Sequence, residues 1–323
     1  MSQKPMWGIH HVTAMAGDPQ KNLDFYAGAL GLRLVKRTVN FDDPGTYHLY
    51  YGDETGRPGT ILTFFPWPLA KRGRRGTGQA TVTAFSVPEG SLDWWRRRLE
   101  GLVAVEGGTV RRFDEEVLTL LDPDGLKLEL VAHPGAAELP PWADGPVDEA
   151  RALRGFHSVT LRETRVGPTA GLLEEMGFGA AGESGRRHRF AAEGDGPGVV
   201  VDVVVDPEGE RGRISAGTVH HVAFRAADDA DQVAWRERLV ALGMEVTPVL
   251  DRQYFHSIYF REPGGVLFEV ATDPPGFTLD EEVAELGDGL KLPPWLEAQR
   301  QRIEGALPPI EAPLASSLQG VGR

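Results

Sequence analysis

The sequence predicts an α+β protein of four βαβββ modules that pair into two curved, half-barrel sheets. Three observations carry that expectation. One strand, helix, three-strand plan occurs four times in segments of about 50 to 65 residues, and a glycine turn enters the last strand of every repeat. The 323 residues amount to about two domains, enough to bury a core without a disulfide or a structural metal. With 41% hydrophobic and 25% charged residues the chain has the balance of a turn-rich globular protein.

Each module opens on a strand. GIHHVTAM from Gly8, QATVTAFSV from Gln79, GFHSVTL from Gly155 and TVHHVAFRA from Thr218 interleave β-branched with polar residues at the period of a strand. A short amphipathic helix follows: DPQKNLDFYAGALG after Gly17, EGSLDWWRRRLEG after Pro88, GPTAGLLEEMG after Val166 and DADQVAWRERLVALG from Asp229. Leu23, Tyr26, Ala27 and Leu30 recur at three and four, and Gly31 and Gly243 stand where a C-cap is expected. Three shorter strands complete each module. The last of them are PGTILTFFP from Pro58, DGLKLELVAHP from Asp124, GPGVVVDVVVDP from Gly196 and GGVLFEVATDP from Gly264.

The stretch Ala132 to Ala150, AHPGAAELPPWADGPVDEA, has no strand or helix period and reads as a linker. The expected division is therefore 1–135 for modules one and two, 136–152 for the linker, 153–276 for modules three and four, and 277–323 for a helical extension and tail. In that extension TLDEEVAELG reads as a helical stretch and LPPWLEAQRQRIEGALPPIEAP as a helix bounded by prolines, with a loose tail over the last dozen residues.

Composition excludes several functions. The 47 acidic and 34 basic side chains give a formal net charge of −13, the wrong sign for wrapping nucleic acid or coating an anionic membrane. There is no Cys, so thiol nucleophiles, zinc ribbons and Cys-ligated clusters are out, and any metal must use His, Asp or Glu. The N-terminus lacks an apolar signal core and no run of eighteen apolar residues occurs, so a cytoplasmic protein is expected. No GxSxG elbow is present to support a hydrolase. The basic run KRGRRG from Lys71 lacks a following Gly-Lys-Ser and reads as a solvated or pocket-edging loop. Trp94 and Trp95 read as one core ring and one ring shielding an edge.

Four of the nine His form two doublets, His10-His11 and His220-His221, at the same place in the opening strands of modules one and four. A lone strand His is usually a satisfied structural imidazole; two matched doublets ask for a cause. Alternation should send only one member of each doublet to the concave face of a curved sheet, with the other behind or beside it. Counting four residues on from Gly59, Gly125, Gly198 and Gly265 gives Thr63, Glu129, Asp202 and Glu269. A carboxylate inside a strand such as VLFEV is costly to bury unless it meets a cation, so Glu269 calls for a metal or an Arg.

These residues resemble the vicinal oxygen chelate superfamily, in which the fourfold βαβββ plan carries a His on opening strands and a Glu on a closing strand. More narrowly, HHVT near the N-terminus, VKRTVNFDDPGTYHLYYGDETGRPGT from Val35, GSLDWW from Gly90 and HHVAF with PGGVLFE are similar to hydroquinone ring-cleaving dioxygenases of the 2,6-dichlorohydroquinone dioxygenase and MhqO type. The resemblance runs from about Gly8 to Leu290. It implies an Fe(II) site made by His11, His221 and Glu269, with Mn(II) the other ion this donor set accepts, and an aromatic dihydroxy substrate cleaved with O₂. It further implies that His10, His220, Arg252 and Tyr259 act on substrate hydroxyls and protons, and that Thr13, with the parity of His11, helps bind substrate. This chain departs from the pattern in a shorter loop before Arg252 and in His256, where an acidic residue is expected.

Two His and one carboxylate leave coordination positions open for substrate and O₂, as an Fe(II) oxygenase needs. A glyoxalase-type isomerase would add a fourth ligand at the position of Thr63, whose neutral hydroxyl is a poor one. A non-catalytic small-molecule binder of the same superfamily would need no such triad. Because the ligands come from modules one and four, those modules should pair. The equivalent site of modules two and three would hold Val82, Ser158, Glu129 and Asp202 and no imidazole, so no metal is expected there. His157 aligns with the first His of the doublets and should pack. Exposed strand edges are compatible with a homodimer.

Overall fold

A computed structural model describes residues 4–194 and 196–311. All four modules are present. Module one contains β1 (Ile9–Ala16), α1 (Pro19–Leu23), β2 (Arg33–Asn40), β3 (Asp43–Gly52) and β4 (Ile61–Pro66), and module two contains β5 (Gln79–Val87), α2 (Leu92–Leu99), β6 (Ala104–Arg112), β7 (Glu115–Leu121) and β8 (Lys127–Ala132). Module three runs through β9 (Phe156–Glu163), α3 (Gly167–Glu175), β10 (Gly179–Ser184), β11 (Arg187–Ala191) and β12 (Val200–Val205). Module four runs through β13 (Thr218–Ala226), α4 (Asp229–Ala241), β14 (Leu250–Asp251), β15 (Phe255–Arg261) and β16 (Leu267–Pro275). The amphipathic pattern after Gly17 gives a short helix that continues as a π-helical turn, Asp24–Ala29, before Gly31 ends it at φ 72°.

The modules pair as the ligand positions require. One eight-stranded sheet runs β14-β15-β16-β13-β1-β4-β3-β2 and joins modules four and one; the other runs β10-β11-β12-β9-β5-β8-β7-β6 and joins three and two. Each sheet thus draws one module from either side of the linker. The opening strands meet antiparallel at the centre of both sheets, β1 on β13 and β5 on β9.

Each of these central pairs carries two bulges at matched places. Ile9 faces Phe224 and His11 faces Ala223, so His10 is an extra residue; Thr13 faces His221 and Ala14 faces Val219, so His220 is another. In the second sheet Thr81 and His157 are the extra residues. Strict alternation would have turned the first His of each doublet away from the second. The bulge instead swings it beside its neighbour.

The helices bury their apolar stripes in one large core that includes Tyr26, Trp95, Leu173 and Trp235. Each sheet also supplies a carboxylate to the other half: Tyr26 donates to Asp122 at 2.9 Å, and Thr169 to Glu262 at 2.8 Å. The KRGRRG run edges a cavity of the second half-barrel through Arg75, as expected of it. It pairs through Arg72, Arg74 and Thr77 with the connector between modules three and four, at Ala216, Arg213 and Arg211. Trp95 is buried, while Trp94 lies under Arg98 and Arg151.

The extension corrects one expectation. TLDEEVAELG is not a helix but two single 3₁₀ turns, Phe277–Leu279 and Val283–Glu285. Lys36 is the reason: its fully buried ammonium draws in the carboxylates of Asp280 and Glu281, which a continuous helix would splay apart. Phe277 and Leu286 then pack with Val35, Tyr50, Ile61, Ala223 and Ala271 and close one end of the first half-barrel. The proline-bounded segment forms α5 (Pro294–Glu297) and α6 (Arg300–Ala306). The expected loose tail lies outside the described residues. Among those described, no helix is long and apolar enough to cross a membrane.

Candidate metal centre and its cavity

Strand register gathers the predicted residues on one concave face. Thr13 stands opposite His221 and beside Thr63, Ala223 beside Glu269, and Glu269 opposite Tyr259, so residues two apart along each strand share that face. One side-chain donor atom from each of His11, His221 and Glu269 lies within 4.8 Å of the other two, and all three residues are buried. The two Nε2 atoms are 3.3 Å apart, and Glu269 Oε2 is 2.9 Å from His221 Nε2 and 3.4 Å from His11 Nε2.

The first His of each doublet orients the second. His10 Nδ1 lies 2.9 Å from His11 Nδ1, and His220 Nδ1 lies 2.8 Å from His221 Nδ1. Burial keeps both first members neutral, with His220 pushed down to about 3 and His10 held well below the usual imidazole range, so each can accept a proton bond at Nδ1. With Nδ1–H of His11 and His221 donated in that way, their Nε2 atoms are bare lone pairs aimed at one point. Glu269 adds a third: Ser257 Oγ donates to its Oε1 at 2.5 Å, while Oε2 is left without a hydrogen-bond partner in a fully buried side chain. Burial alone would raise the Glu269 carboxyl; positive charge at its Oε2, from protonated His11 and His221 or from a cation in their place, holds it well below the carboxylate range.

Three converging lone pairs repel one another unless a cation sits among them. Metal bonds of about 2.1 Å at right angles would put neighbouring donor atoms about 3 Å apart, close to the spacing observed. The triad therefore fits a divalent metal bound on one face.

In front of the triad lies a cavity of about 370 Å³. His11, His220, His221, Arg252 and Tyr259 reach its wall, whereas His10, Thr13 and Glu269 stand behind it. Arg252 lies over the Tyr259 ring, 5.5 Å from its centroid, and pairs with Asp42 at 3.1 Å. Burial raises the Tyr259 phenol, which stays protonated. The remainder of the wall is largely aromatic, from Phe41, Phe65, Trp67 and Phe255. His256 is turned outward onto Asp229 at 2.6 Å.

Sequence reasoning missed His48, Tyr50 and Ser257. Tyr50 donates to or accepts from His48 Nδ1 at 2.7 Å, His48 Nε2 meets Thr63 Oγ1 at 2.8 Å, and Thr63 meets Thr13 Oγ1 at 2.8 Å. A signal was present, since TYHLYY alternates and places His48 and Tyr50 on one face of β3, with Tyr50 opposite Thr63. The chain also occupies the Thr63 hydroxyl at the position where a fourth ligand would stand.

The second sheet meets its carboxylates differently. Arg112 forks onto Glu129 at 2.6 and 2.8 Å, and Arg187 and Arg189 hold Asp202 at 2.8 and 2.9 Å. His157 bonds to Glu115 at 2.8 Å and to Ser158 at 3.0 Å, the buried, satisfied imidazole expected of it.

Comparison with known proteins agrees with the fold. The Glyoxalase/Bleomycin resistance protein/Dioxygenase superfamily matches residues 8–130 and 156–270. A protein of Bacillus subtilis provisionally named ring-cleaving dioxygenase MhqO is 50% identical over 312 residues, 96% of this chain and 98% of its own length. The chlorohydroquinone/hydroquinone 1,2-dioxygenase of Sphingobium indicum is 36% identical over 305 residues, 92% of this chain and 94% of its own. A crystal structure of a provisionally assigned dioxygenase from Bacillus subtilis superposes with a TM-score of 0.91 at 49% identity, covering 97% of this chain and all of that one.

Proposed function

The chain belongs to the glyoxalase/bleomycin resistance protein/dioxygenase superfamily, and from that premise we propose that it is an Fe(II)-dependent, extradiol-type dioxygenase that opens the ring of hydroquinone-like substrates. The observation that carries the reading is the convergence of three bare donor atoms, His11 Nε2, His221 Nε2 and Glu269 Oε2, at the floor of an aromatic-walled cavity. Its size falls in the range of small-ligand sites. Relatives named for ring cleavage support the same chemistry.

His11, His221 and Glu269 would hold Fe(II), which when bound would supply redox chemistry between a phenolate and O₂; Mn(II) fits the same donors. The protein's own groups do the rest. Phe65, Trp67 and Phe255 form a slot for a flat ring and keep water from it. Arg252 places a fixed positive charge on the wall, suited to a phenolate oxygen and to negative charge developing beside it. Tyr259, kept protonated by burial, offers an O–H from the same side. His220 accepts the His221 proton bond at Nδ1, so its Nε2–H points outward as a donor to a substrate oxygen. Thr13 acts from behind the wall through the Thr63 and His48 chain, holding its hydroxyl in one orientation. Engagement of Thr63 by both neighbours speaks for a three-ligand centre rather than the four-ligand isomerase type.

The test is oxygen uptake by anaerobically iron-loaded protein with a panel of hydroquinones and catechols, run beside His221→Ala. Uptake matched to loss of aromatic absorbance, and absent in the variant, is expected. Tight metal binding with no oxygen consumed on any substrate would refute the reading.

A further inference from the structure

The half-barrel of modules two and three has a cavity of its own, about 390 Å³, at the place that corresponds to the proposed active site. The correspondence is set by register. Thr13 beside Thr63 matches Thr160 beside Asp202, Ala223 beside Glu269 matches Ala84 beside Glu129, and Tyr50 opposite Thr63 matches Arg189 opposite Asp202. On that register Met15, His48 and Leu267 of the first cavity become Arg162, Arg187 and Lys127 of the second. Phe65 and Trp67 become Val204 and Asp206. The space is kept and its chemistry is replaced.

The wall of the second cavity carries Arg75, Lys127, Arg162, Arg186 and Arg187 against a single carboxylate, Asp206. In a chain with a net charge of −13 such a gathering of cations works against the global trend. Internal partners use up only part of it: one nitrogen of Arg187 donates to Asp202 at 2.8 Å and to Thr160 at 2.9 Å, and its other guanidinium nitrogens have no partner among the described residues. Asp206 is taken by Arg162, and Lys127 reaches Glu106 at 3.0 Å on the rim. Among the described residues the Arg75 side chain makes one hydrogen bond, to the carbonyl of Gly125 at 2.7 Å, and the exposed Arg186 side chain has no hydrogen bond or ion pair. Burial first, and then the neighbouring Arg112, pull the Arg187 guanidinium below its ordinary value, against the opposing pull of Asp202 and Glu129. No aromatic ring lines this cavity, so it has no slot for an arene.

The geometry points to a second ligand site in this cleft, for a small oxyanion carrying two or more negative charges, held by guanidinium forks from Arg75, Arg186 and Arg187 and by the Lys127 ammonium. Planar forks match phosphate and carboxylate oxygens equally well, so both a phosphate group and a dicarboxylate satisfy the chemistry. Whichever binds, the site is separate from the metal centre.

Calorimetric titration of the full-length protein, at ionic strength held constant with sodium chloride, tests this with inorganic phosphate, succinate and acetate as probes. Saturable binding of one phosphate or one succinate per chain is expected, with the tighter of the two naming the group, and acetate much weaker. Arg186→Glu, which breaks no internal contact, should weaken binding at least about tenfold, and Arg75→Ala combined with it should weaken it further. His221→Ala should leave the affinity unchanged, and Arg186→Glu should leave oxygen uptake unchanged. No saturable binding at millimolar concentrations, acetate binding as tightly as succinate, an affinity unaltered by Arg186→Glu, or loss of binding in His221→Ala would each overturn the assignment.

Discussion

In one half-barrel Glu269 faces two imidazole nitrogens at 2.9 and 3.4 Å, whereas at the same register of the other Glu129 accepts a two-pronged bond from Arg112. Both carboxylates are buried in closing strands, and both need a positive partner, because a buried unpaired charge costs several kcal/mol. The difference lies in what supplies the charge. Arg112 corresponds by register to Arg252, since Leu250 opposite Ser257 matches Val110 opposite Val117. Arg252 does not fork onto Glu269. Where module two has Thr119 opposite its glutamate, module four has Tyr259, and Arg252 lies over that ring. A bulky aromatic thus keeps the arginine off the carboxylate and leaves the position to a metal, while a small residue lets the arginine through.

The strongest way to break this comparison is to remove the carboxylate from each side. Glu269→Ala and His221→Ala should bring metal content, read by elemental analysis, close to zero and abolish oxygen uptake while the chain stays folded. Glu129→Ala should do the reverse. Stranding the partly buried Arg112 should cost about 3–5 kcal/mol of unfolding free energy in a denaturant titration, with metal content and turnover per bound metal unchanged. Metal loss in Glu129→Ala would mean that the two clefts are not independent.

A subtler exchange follows from the aromatic shield. Tyr259→Thr copies the arrangement of module two and should let Arg252 swing onto Glu269, displacing metal; Tyr259→Phe keeps the shield and should keep the metal, with turnover reduced by loss of the O–H. Adding Arg252→Ala to Tyr259→Thr should restore metal binding. Metal content equal in Tyr259→Thr and Tyr259→Phe would show that the ring is not what holds the arginine away.

Much of this contrast is written in the sequence, and the unreadable part has a physical reason. The fourfold plan shows because each strand and helix has its own hydrophobic period, and Glu269, Glu129 and Asp202 fall into line because glycine turns fix the start of every closing strand. The sequence also said that Glu269 needs a metal or an Arg. It did not say which arginine would reach which carboxylate, since Arg112 lies two strands from Glu129, and Arg187 and Arg189 one strand from Asp202, in registers set by tertiary pairing. The bulges at His10 and His220 were equally invisible. They break the two-residue period that any strand reading assumes, and no local residue type marks them. Likewise the acidic run after Gly276 has a helical composition, and only the buried ammonium of Lys36, over two hundred positions away, overrides it.

Ser257 sharpens the comparison further. Its hydroxyl fixes Glu269 Oε1 and so aims Oε2 at the imidazoles, whereas the matching residue of module two is Val117 and Glu129 is aimed by Arg112 instead. Ser257→Ala should weaken metal binding about 10- to 100-fold, the usual range for a hydrogen-bond partner of a ligand, as read by competition with a chromophoric chelator. Ser257→Thr keeps the hydroxyl and should recover most of that loss.

The smallest expected effect concerns acid stability, and it arises wholly within the second half-barrel. Burial alone would raise the Glu115 carboxyl, but His157 and Arg189 outweigh it and bring it down from 4.5 to about 2. A carboxyl depressed on folding gives stability that is fully present above its unfolded value, near 4.5, and that is lost as the pH falls toward its folded value. Unfolding free energy should therefore decline between about pH 4.5 and pH 2 in part through this one group. Glu115→Gln should be less stable than the parent at neutral pH, and the gap between the two should narrow across that window. Because Glu115 has no role at the metal, the variant should keep its metal and its turnover at neutral pH. A gap that stays constant with pH would mean that His157 and Arg189 do not hold this carboxylate charged, and the all-protein charge balance drawn for the second cleft would have to be revised.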